Sequence, residues 1–125
     1  MPLPGVSQTE LHSELAAARA AGIADACTAA EHAHGLPAGF LLAFASRETN
    51  CRNIAGDGGH GRGVFQIDDR FHADWLSKHG AGKAGAVPPV KDAADYAAAM
   101  LSANFAAGKA KGLTGDKLVT FAAAA

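Results

Sequence analysis

The sequence has little that could hold a charged polymer or enter a bilayer. Eleven lysines and arginines nearly balance twelve aspartates and glutamates, which gives a formal net charge of -1 at pH 7. This balance argues against a nucleic acid or an anionic membrane bound through a broad basic patch. No stretch approaches the roughly 20 apolar residues of a membrane span. We therefore expect no nucleic-acid partner and no membrane partner.

Cysteine and aromatic residues are also scarce. Cys27 and Cys51 form neither a CxxC pair nor a zinc spacing, which leaves two buried thiols or one disulfide. The amino end lacks a basic start followed by an apolar run, so we expect synthesis in the cytoplasm without a signal peptide, where thiols are the first expectation. Six Phe, one Trp and one Tyr leave the core to a few large apolar side chains among many alanines.

Helix-type apolar spacing is present along most of a chain whose 125 residues suit one domain. Val64–Ile67 is long enough only for a small strand or turn. We therefore predict a mainly α fold with a glycine-rich loop and a minimal β element. Helices are predicted at 8–21 after a capping box at 7–10, at 24–33, from Pro37 to the polar run 46–50, at 69–79, from 90 to an end between Gly108 and Gly112, and from Thr114 onward.

Two further expectations concern packing and completeness. The third helix is the most apolar, so we place it centrally, and we expect Phe71, Trp75 and Leu76 to point inward from the fourth. The last helix still follows its apolar pattern at the final AAAA, without a stop signal. We therefore expect one domain, 1–125, that is incomplete at its carboxyl end.

The stretch GDGGHGRGVFQID, residues 56–68, has five glycines in its first eight positions and two flanking aspartates, Asp57 and Asp68. Glycine reaches backbone conformations closed to other residues and lets a ligand approach the main chain. Hydrogen bonds from loop amides keep such aspartates ionised. The stretch therefore predicts a tightly shaped loop flanked by fixed negative charge.

Glu48 follows a strongly apolar helix, and two interpretations of it stay open. Its carboxyl can lie against apolar side chains, where a carboxylic acid holds its proton near neutral pH and can donate it in a reaction. Alternatively, it is a helix-end carboxylate paired with Arg47 or Arg52. A protonated acid facing ionised carboxylates is the arrangement that glycoside hydrolysis uses.

Other chemistries have weaker support. Asp57, His60, Asp68 and His72 offer oxygen and nitrogen ligands, but their spacing matches no zinc motif and no calcium loop. The loop lacks the Lys-Ser/Thr of a phosphate-binding loop, and Ser46 has no nucleophile-elbow setting. We therefore predict no metal and no cofactor.

The runs ASRETN, GDGGHGRG, GVFQID and DRFH occur in this order and resemble the goose-type lysozymes, within the lysozyme and soluble lytic transglycosylase group. The resemblance is strong over about residues 36–76. It implies an α+β lysozyme-like fold and cleavage of the β-1,4 bond between N-acetylmuramic acid and N-acetylglucosamine in peptidoglycan.

The resemblance also implies roles for individual residues. Glu48 matches the catalytic acid, and Asp57 and Asp68 match two aspartates that hold the attacking water. The residues that match positions of the sugar groove are Thr49, Gly63, Phe65, Gln66 and His72. Inversion requires roughly 6.5 to 9.5 Å between the acid and base carboxyls. The family's Tyr-Asn-Ala-Gly segment would begin where this sequence ends.

Three activities stay open under this resemblance. The two aspartates favour hydrolysis with inversion, whereas lytic transglycosylases generally lack them and close a 1,6-anhydro ring. The third is a catalytically inactive domain that only binds glycan. The implied partner is the peptidoglycan glycan strand, cut by a monomer at the bacterial cell wall, as a phage lysin or a wall-remodelling protein.

Overall fold

The computed structural model describes residues 13, 15–19 and 21–124, except for the side chain of 124. Residues 15–19 are helical. The helices that follow are α1 (Ile23–His34), α2 (Phe40–Thr49), α3 (Asp69–Lys78), α4 (Val90–Ala110) and α5 (Gly115–Ala124). Three two-residue strands, β1 (Ala55–Gly56), β2 (Gly61–Arg62) and β3 (Ile67–Asp68), form an antiparallel sheet in that order. The predicted mainly α fold with a minimal β element is confirmed.

The capping box predicted at 7–10 lies outside the described residues. The third predicted helix starts at Phe40 and not at Pro37, because Gly39 has a left-handed φ of 82°. No helix within the described part of the chain is long and apolar enough to cross a bilayer.

A carboxylate from α1 caps the start of α2. Glu31 is buried, and its two oxygens accept hydrogen bonds from the amides of Gly39 (3.1 Å) and Leu41 (2.7 Å). The first amides of a helix have no partner within the helix, and negative charge there complements the helix dipole. Glu31 therefore fixes the position of α2, the helix that carries Glu48.

The long helix α4 occupies the centre and contacts α1, α2 and α5. Its inner face consists mainly of buried alanines, and Ala94 and Ala98 are completely covered. Small side chains let neighbouring helices approach closely and pack densely. The expectation that α2 is the central helix is therefore wrong, because α4 holds this position and contacts three other helices.

The inward side of α3 was predicted only in part. Leu76 is 1% exposed and Trp75 packs against the core, but Phe71 is 79% exposed. The helix has a kink at His72 (φ -129°, ψ 29°), which breaks the helical register between Phe71 and Trp75. The prediction that Phe71 points inward is therefore wrong.

Cys27 and Cys51 are buried thiols that are not joined by a disulfide. Burial raises the pKa of Cys27 to about 12, and nearby Glu31 and Cys51 add to the rise. Because the thiolate is the reactive form, Cys27 is a chemically inert part of the core. The first of the two sequence alternatives for the cysteines is confirmed.

Candidate functional site

The glycines of the loop serve two different needs. Gly58, Gly59 and Gly63 have left-handed φ values of 65°, 94° and 78°, a region that L side chains rarely adopt. Gly56 and Gly61 instead lie beneath the side chain of Gln66, whose Oε1 fills the space that a Cβ at either position would need. The glycine content therefore both turns the chain and makes room for one side chain.

Gln66 braces the loop from within. Its Nε2 donates to the carbonyls of Ile54 (3.0 Å) and Gly63 (2.8 Å), and its own φ is a left-handed 50°. The main-chain N–H of Gly63 donates to the carbonyl of Ile54 (2.9 Å). The carbonyl of Gly63 also accepts a hydrogen bond from the main-chain N–H of Gln66 (3.0 Å). Gly63 is buried, so it shapes the loop and is not itself part of the groove surface.

A cleft of about 450 Å³ lies beside this loop. Four residues singled out from the sequence line it, namely Phe65, Gln66, Asp68 and His72. Much of the remaining wall is apolar and comes from α2, α4 and α5, with Phe44, Met100, Leu101 and Ala122 among its members. The Phe44 and Phe65 rings are stacked with centroids 6.4 Å apart. The cleft therefore combines an apolar wall with a polar edge.

Glu48 lies on the last turn of α2, outside the described residues that line the cleft. It follows Phe44 by one helical turn, so both side chains project from the same face of α2. Its carboxylate is 3.7 Å from the guanidinium of Arg47, and 31% of its side chain is exposed. Arg47 also lies over the Phe44 ring, 5.5 Å from its centroid. The pairing of Glu48 with Arg47 is the second of the two sequence alternatives.

Thr49 connects α2 to the glycine-rich loop. Its Oγ1 donates to the carbonyl of Val64 (2.8 Å), lies 3.2 Å from the carbonyl of Ala45, and accepts from the amide of Arg52 (3.1 Å). Thr49 is only 5% exposed. It therefore positions the neighbouring Glu48 relative to the loop, which is a different role from the predicted contact with substrate.

Arg70, which sequence reasoning missed, joins the two candidate aspartates. Asp68 caps α3, and its Oδ1 accepts from the amide (2.9 Å) and Nε (3.0 Å) of Arg70. The Nη2 of Arg70 donates both to Asp68 Oδ2 (2.7 Å) and to Asp57 Oδ2 (2.9 Å). The guanidinium hydrogen bonds, followed by the Arg70 amide, lower the pKa of Asp68 to about 2. The guanidinium thus contributes more to this acidity than the loop amides assumed from the sequence.

A second arginine holds the base of the loop. Arg62 is 3% exposed, and its Nε donates to Gly59 (2.7 Å). Its Nη2 donates to Asp69 (2.6 Å), and its Nη1 contacts the carbonyls of Ala81 (3.1 Å), Lys83 (2.7 Å) and Ala86 (3.0 Å). His60 Nδ1 lies 2.7 Å from the other Asp69 oxygen, and hydrogen bonds from His60 and Arg62 lower the pKa of Asp69. Arg62 therefore ties the sheet to the segment 81–86.

His60, Asp68 and Asp69 place potential metal-ligand atoms within 4.8 Å of one another. These atoms already contact guanidinium groups or each other, so a cation would face both Arg62 and Arg70. His72, from the ligand set considered in the sequence, instead has its Nδ1 2.8 Å from the hydroxyl of Tyr96. The local charge pattern therefore disfavours a bound cation.

Sequence motifs predicted residues of the candidate site, but they did not predict Arg62 and Arg70, which hold the loop in place. Arg70 follows the helix-capping Asp68 by two positions, and this spacing is the one local signal that could have revealed the pair. Comparison of the chain with protein-family models, with curated proteins and with solved structures finds no match. The resemblance to goose-type lysozymes therefore rests on the sequence runs quoted above.

Proposed function

We propose that this protein is a glycoside hydrolase that cuts the β-1,4 bond between N-acetylmuramic acid and N-acetylglucosamine in peptidoglycan. The main support is the cleft lined by Phe65, Gln66, Asp68 and His72, whose wall includes Phe44 of α2, the helix that carries Glu48 on its last turn. Apolar walls with a few convergent polar groups are typical of small-ligand sites. The half-buried Phe44 ring, stacked on the buried Phe65, offers contact for apolar sugar faces, and the polar edge offers hydrogen-bond partners for hydroxyls.

In the proposed reaction, Glu48 gives its proton to the bridging oxygen while the bond from that oxygen to the anomeric carbon breaks. A water molecule held by Asp57 and Asp68 adds its oxygen to the anomeric carbon from the opposite face, which gives inversion. The proton released by this water passes to solvent, and Glu48 regains a proton from solvent. The mechanism requires the sugar to displace the Arg47 guanidinium from Glu48. The Arg47 side chain is 56% exposed and has room to move away.

The two aspartates have an orienting part in this mechanism. A carboxylate whose pKa is about 2, such as Asp68, accepts a proton only weakly near neutral pH. Its value to the reaction is a fixed negative charge and fixed acceptor oxygens that align water for attack. We therefore assign Asp68 and Asp57 to holding the water.

The test is the release of new sugar ends from purified peptidoglycan by the parent and by Glu48→Gln. Removing a general acid typically costs about 100-fold or more in rate, and we expect that loss here. Asp74→Asn, an exposed carboxylate-to-amide change on α3, is the control and should keep the parent rate. Parent-level release by a folded Glu48→Gln protein would remove Glu48 from the reaction.

The same assay separates the other activities. Products with 1,6-anhydro ends, which lack one water relative to hydrolysis products, would show a lytic transglycosylase. Binding to insoluble peptidoglycan by a parent that releases no sugar ends would show a glycan-binding domain without catalytic activity.

A further inference from the structure

One nitrogen of Arg70 contacts the carboxylates of both Asp57 and Asp68, at 2.9 Å and 2.7 Å. The two aspartates come from different parts of the loop, since Asp57 belongs to the turn between β1 and β2 and Asp68 ends β3. Arg70 is therefore the group that brings two separated carboxylates to one place.

We propose that Arg70 is a positioning residue for hydrolysis, because it fixes Asp57 and Asp68 as one paired acceptor for the attacking water. This role rests on the proposed function. The planar guanidinium supplies several donors in a fixed geometry, so it sets the directions of the carboxylates as well as their charge.

Stability alone is a weak reason for this arrangement. The side chain of Arg70 is 51% exposed and that of Asp57 is 68% exposed. Ion pairs at such positions typically contribute little to folding. Asp68 caps α3 through the amide of Arg70, and this cap does not require the second contact to Asp57. Asp57 also has a left-handed φ of 52°, an uncommon conformation for a residue other than glycine.

The pair keeps room for a water molecule. A carboxylate has about four acceptor sites on its two oxygens. Asp68 uses three contacts, all from Arg70, and Asp57 accepts one hydrogen bond from the described residues. The remaining sites can accept the two protons of a water. The other titratable or charged neighbours are His60, which lies close enough to lower the pKa of Asp68, and the Asp69–Arg62 pair.

The experiment compares the parent, Arg70→Gln and Arg70→Lys on soluble peptidoglycan fragments, with Arg19→Gln as an exposed-arginine control. For Arg70→Gln we expect kcat to fall about 10- to 100-fold with KM nearly unchanged, because a misaligned nucleophile costs rate and not ground-state binding. We also expect a larger share of 1,6-anhydro ends, since attack by water is the step impaired. Arg70→Lys keeps the positive charge but lacks the several fixed donors of a guanidinium. Its kcat should lie between those of the parent and Arg70→Gln.

The outcomes separate this role from the proposed function. A parent that releases no sugar product overturns the proposed function and this role with it. An active parent beside an equally active, folded Arg70→Gln protein with the same product ratio overturns only the role of Arg70. Carbon-13 titration of the Asp57 and Asp68 carboxyls adds a readout independent of activity, and curves unchanged by Arg70→Gln would contradict the pairing itself.

Discussion

The helical centre and the loop of residues 56–70 are stabilised by opposite kinds of interaction. At the centre, α4 presents buried alanines such as Ala94 and Ala98, and its stability comes from close apolar packing. The loop has left-handed backbone at several positions and is held by hydrogen bonds from Arg62, Gln66 and Arg70. We therefore expect added side-chain volume to destabilise the first region and the loss of a hydrogen-bond donor to destabilise the second.

The two regions also have different parts in the proposed function: the helical centre supports the fold, and most of the proposed chemistry belongs to the loop. The charged groups assigned to the reaction lie in the loop, where Arg70 holds Asp57 and Asp68, or at the end of α2, where Thr49 ties the backbone to the loop. The alanine-rich helices supply a rigid support and contribute only part of the cleft wall, including Ala97 and Leu101. Substitutions at the centre should therefore destabilise the protein through poor packing, and substitutions in the loop through lost hydrogen bonds.

The largest effect is expected for Arg62→Ala. It leaves the Asp69 carboxylate without its buried partner and the carbonyls of the 81–86 segment without their donor. A buried polar group left without its hydrogen-bond partner typically costs about 1–3 kcal/mol of unfolding free energy, and Arg62→Ala leaves several carbonyls in this state. Urea unfolding measures the loss, and Arg52→Ala, which removes a single side-chain hydrogen bond of an exposed arginine, is the control. Equal losses in the two variants would show that Arg62 does not hold the loop.

A smaller effect is expected for Ala94→Leu at the centre of the fold. The added side chain has no space at a position that is 0% exposed, and overpacking typically costs about 1–3 kcal/mol. Ala107→Leu on the exposed side of α4 is the matched control and should be nearly neutral. Thermal unfolding of both proteins is the measurement. Similar melting temperatures would argue against close alanine packing.

Gly61→Ala tests the contact between the loop backbone and Gln66. The new Cβ would clash with Gln66 Oε1 and push the side-chain amide of Gln66 away from the carbonyls of Ile54 and Gly63. Two displaced hydrogen bonds are worth about 1–2 kcal/mol. Unfolding of the single variants and of Gly61→Ala with Gln66→Ala completes a double-mutant cycle, in which we expect Gly61→Ala to cost less once the Gln66 amide group is gone, with only a 3.2 Å contact to the Cβ of residue 66 remaining. An undiminished cost would contradict the proposed clash.

The smallest effect is a pH dependence of stability from Asp68. Its pKa is about 2 in the folded protein against an ordinary 3.8, so the unfolded chain binds more protons between these values. The stabilisation is therefore fully present above about pH 4 and is lost as the pH falls toward 2. Asp68→Asn keeps a helix-capping side chain and should flatten this part of the melting-temperature curve. Parallel curves for parent and variant would contradict the Arg70 pairing.

Much of the fold could be predicted because helices are local. Apolar spacing and glycine stops predicted α1, α3 and α4 to within a few residues. Interactions between segments that are distant in the sequence produce no comparable pattern of residue spacing. Nothing near α2 indicates that its first amides bind Glu31 from another helix, and nothing in the spacing of Phe71 reports the kink at His72.

The candidate site shows the same limit. Motifs singled out Phe65, Gln66, Asp68 and His72, which the fold brings to one cleft. The arginines that hold the loop escaped notice, because a guanidinium bridging two segments is identified only once both are placed. Thr49 carried a motif signal, but its hydroxyl serves a contact with the main chain of Val64 that the motif does not specify.

The most direct test of the proposed mechanism is digestion of peptidoglycan by the parent in water enriched in heavy oxygen, with mass analysis of the sugar ends. Hydrolysis through Glu48 and the Asp57–Asp68 pair predicts muramic acid reducing ends that carry the heavy isotope. Unlabelled 1,6-anhydro ends as the main product, or labelled ends formed equally well by Glu48→Gln, would contradict it.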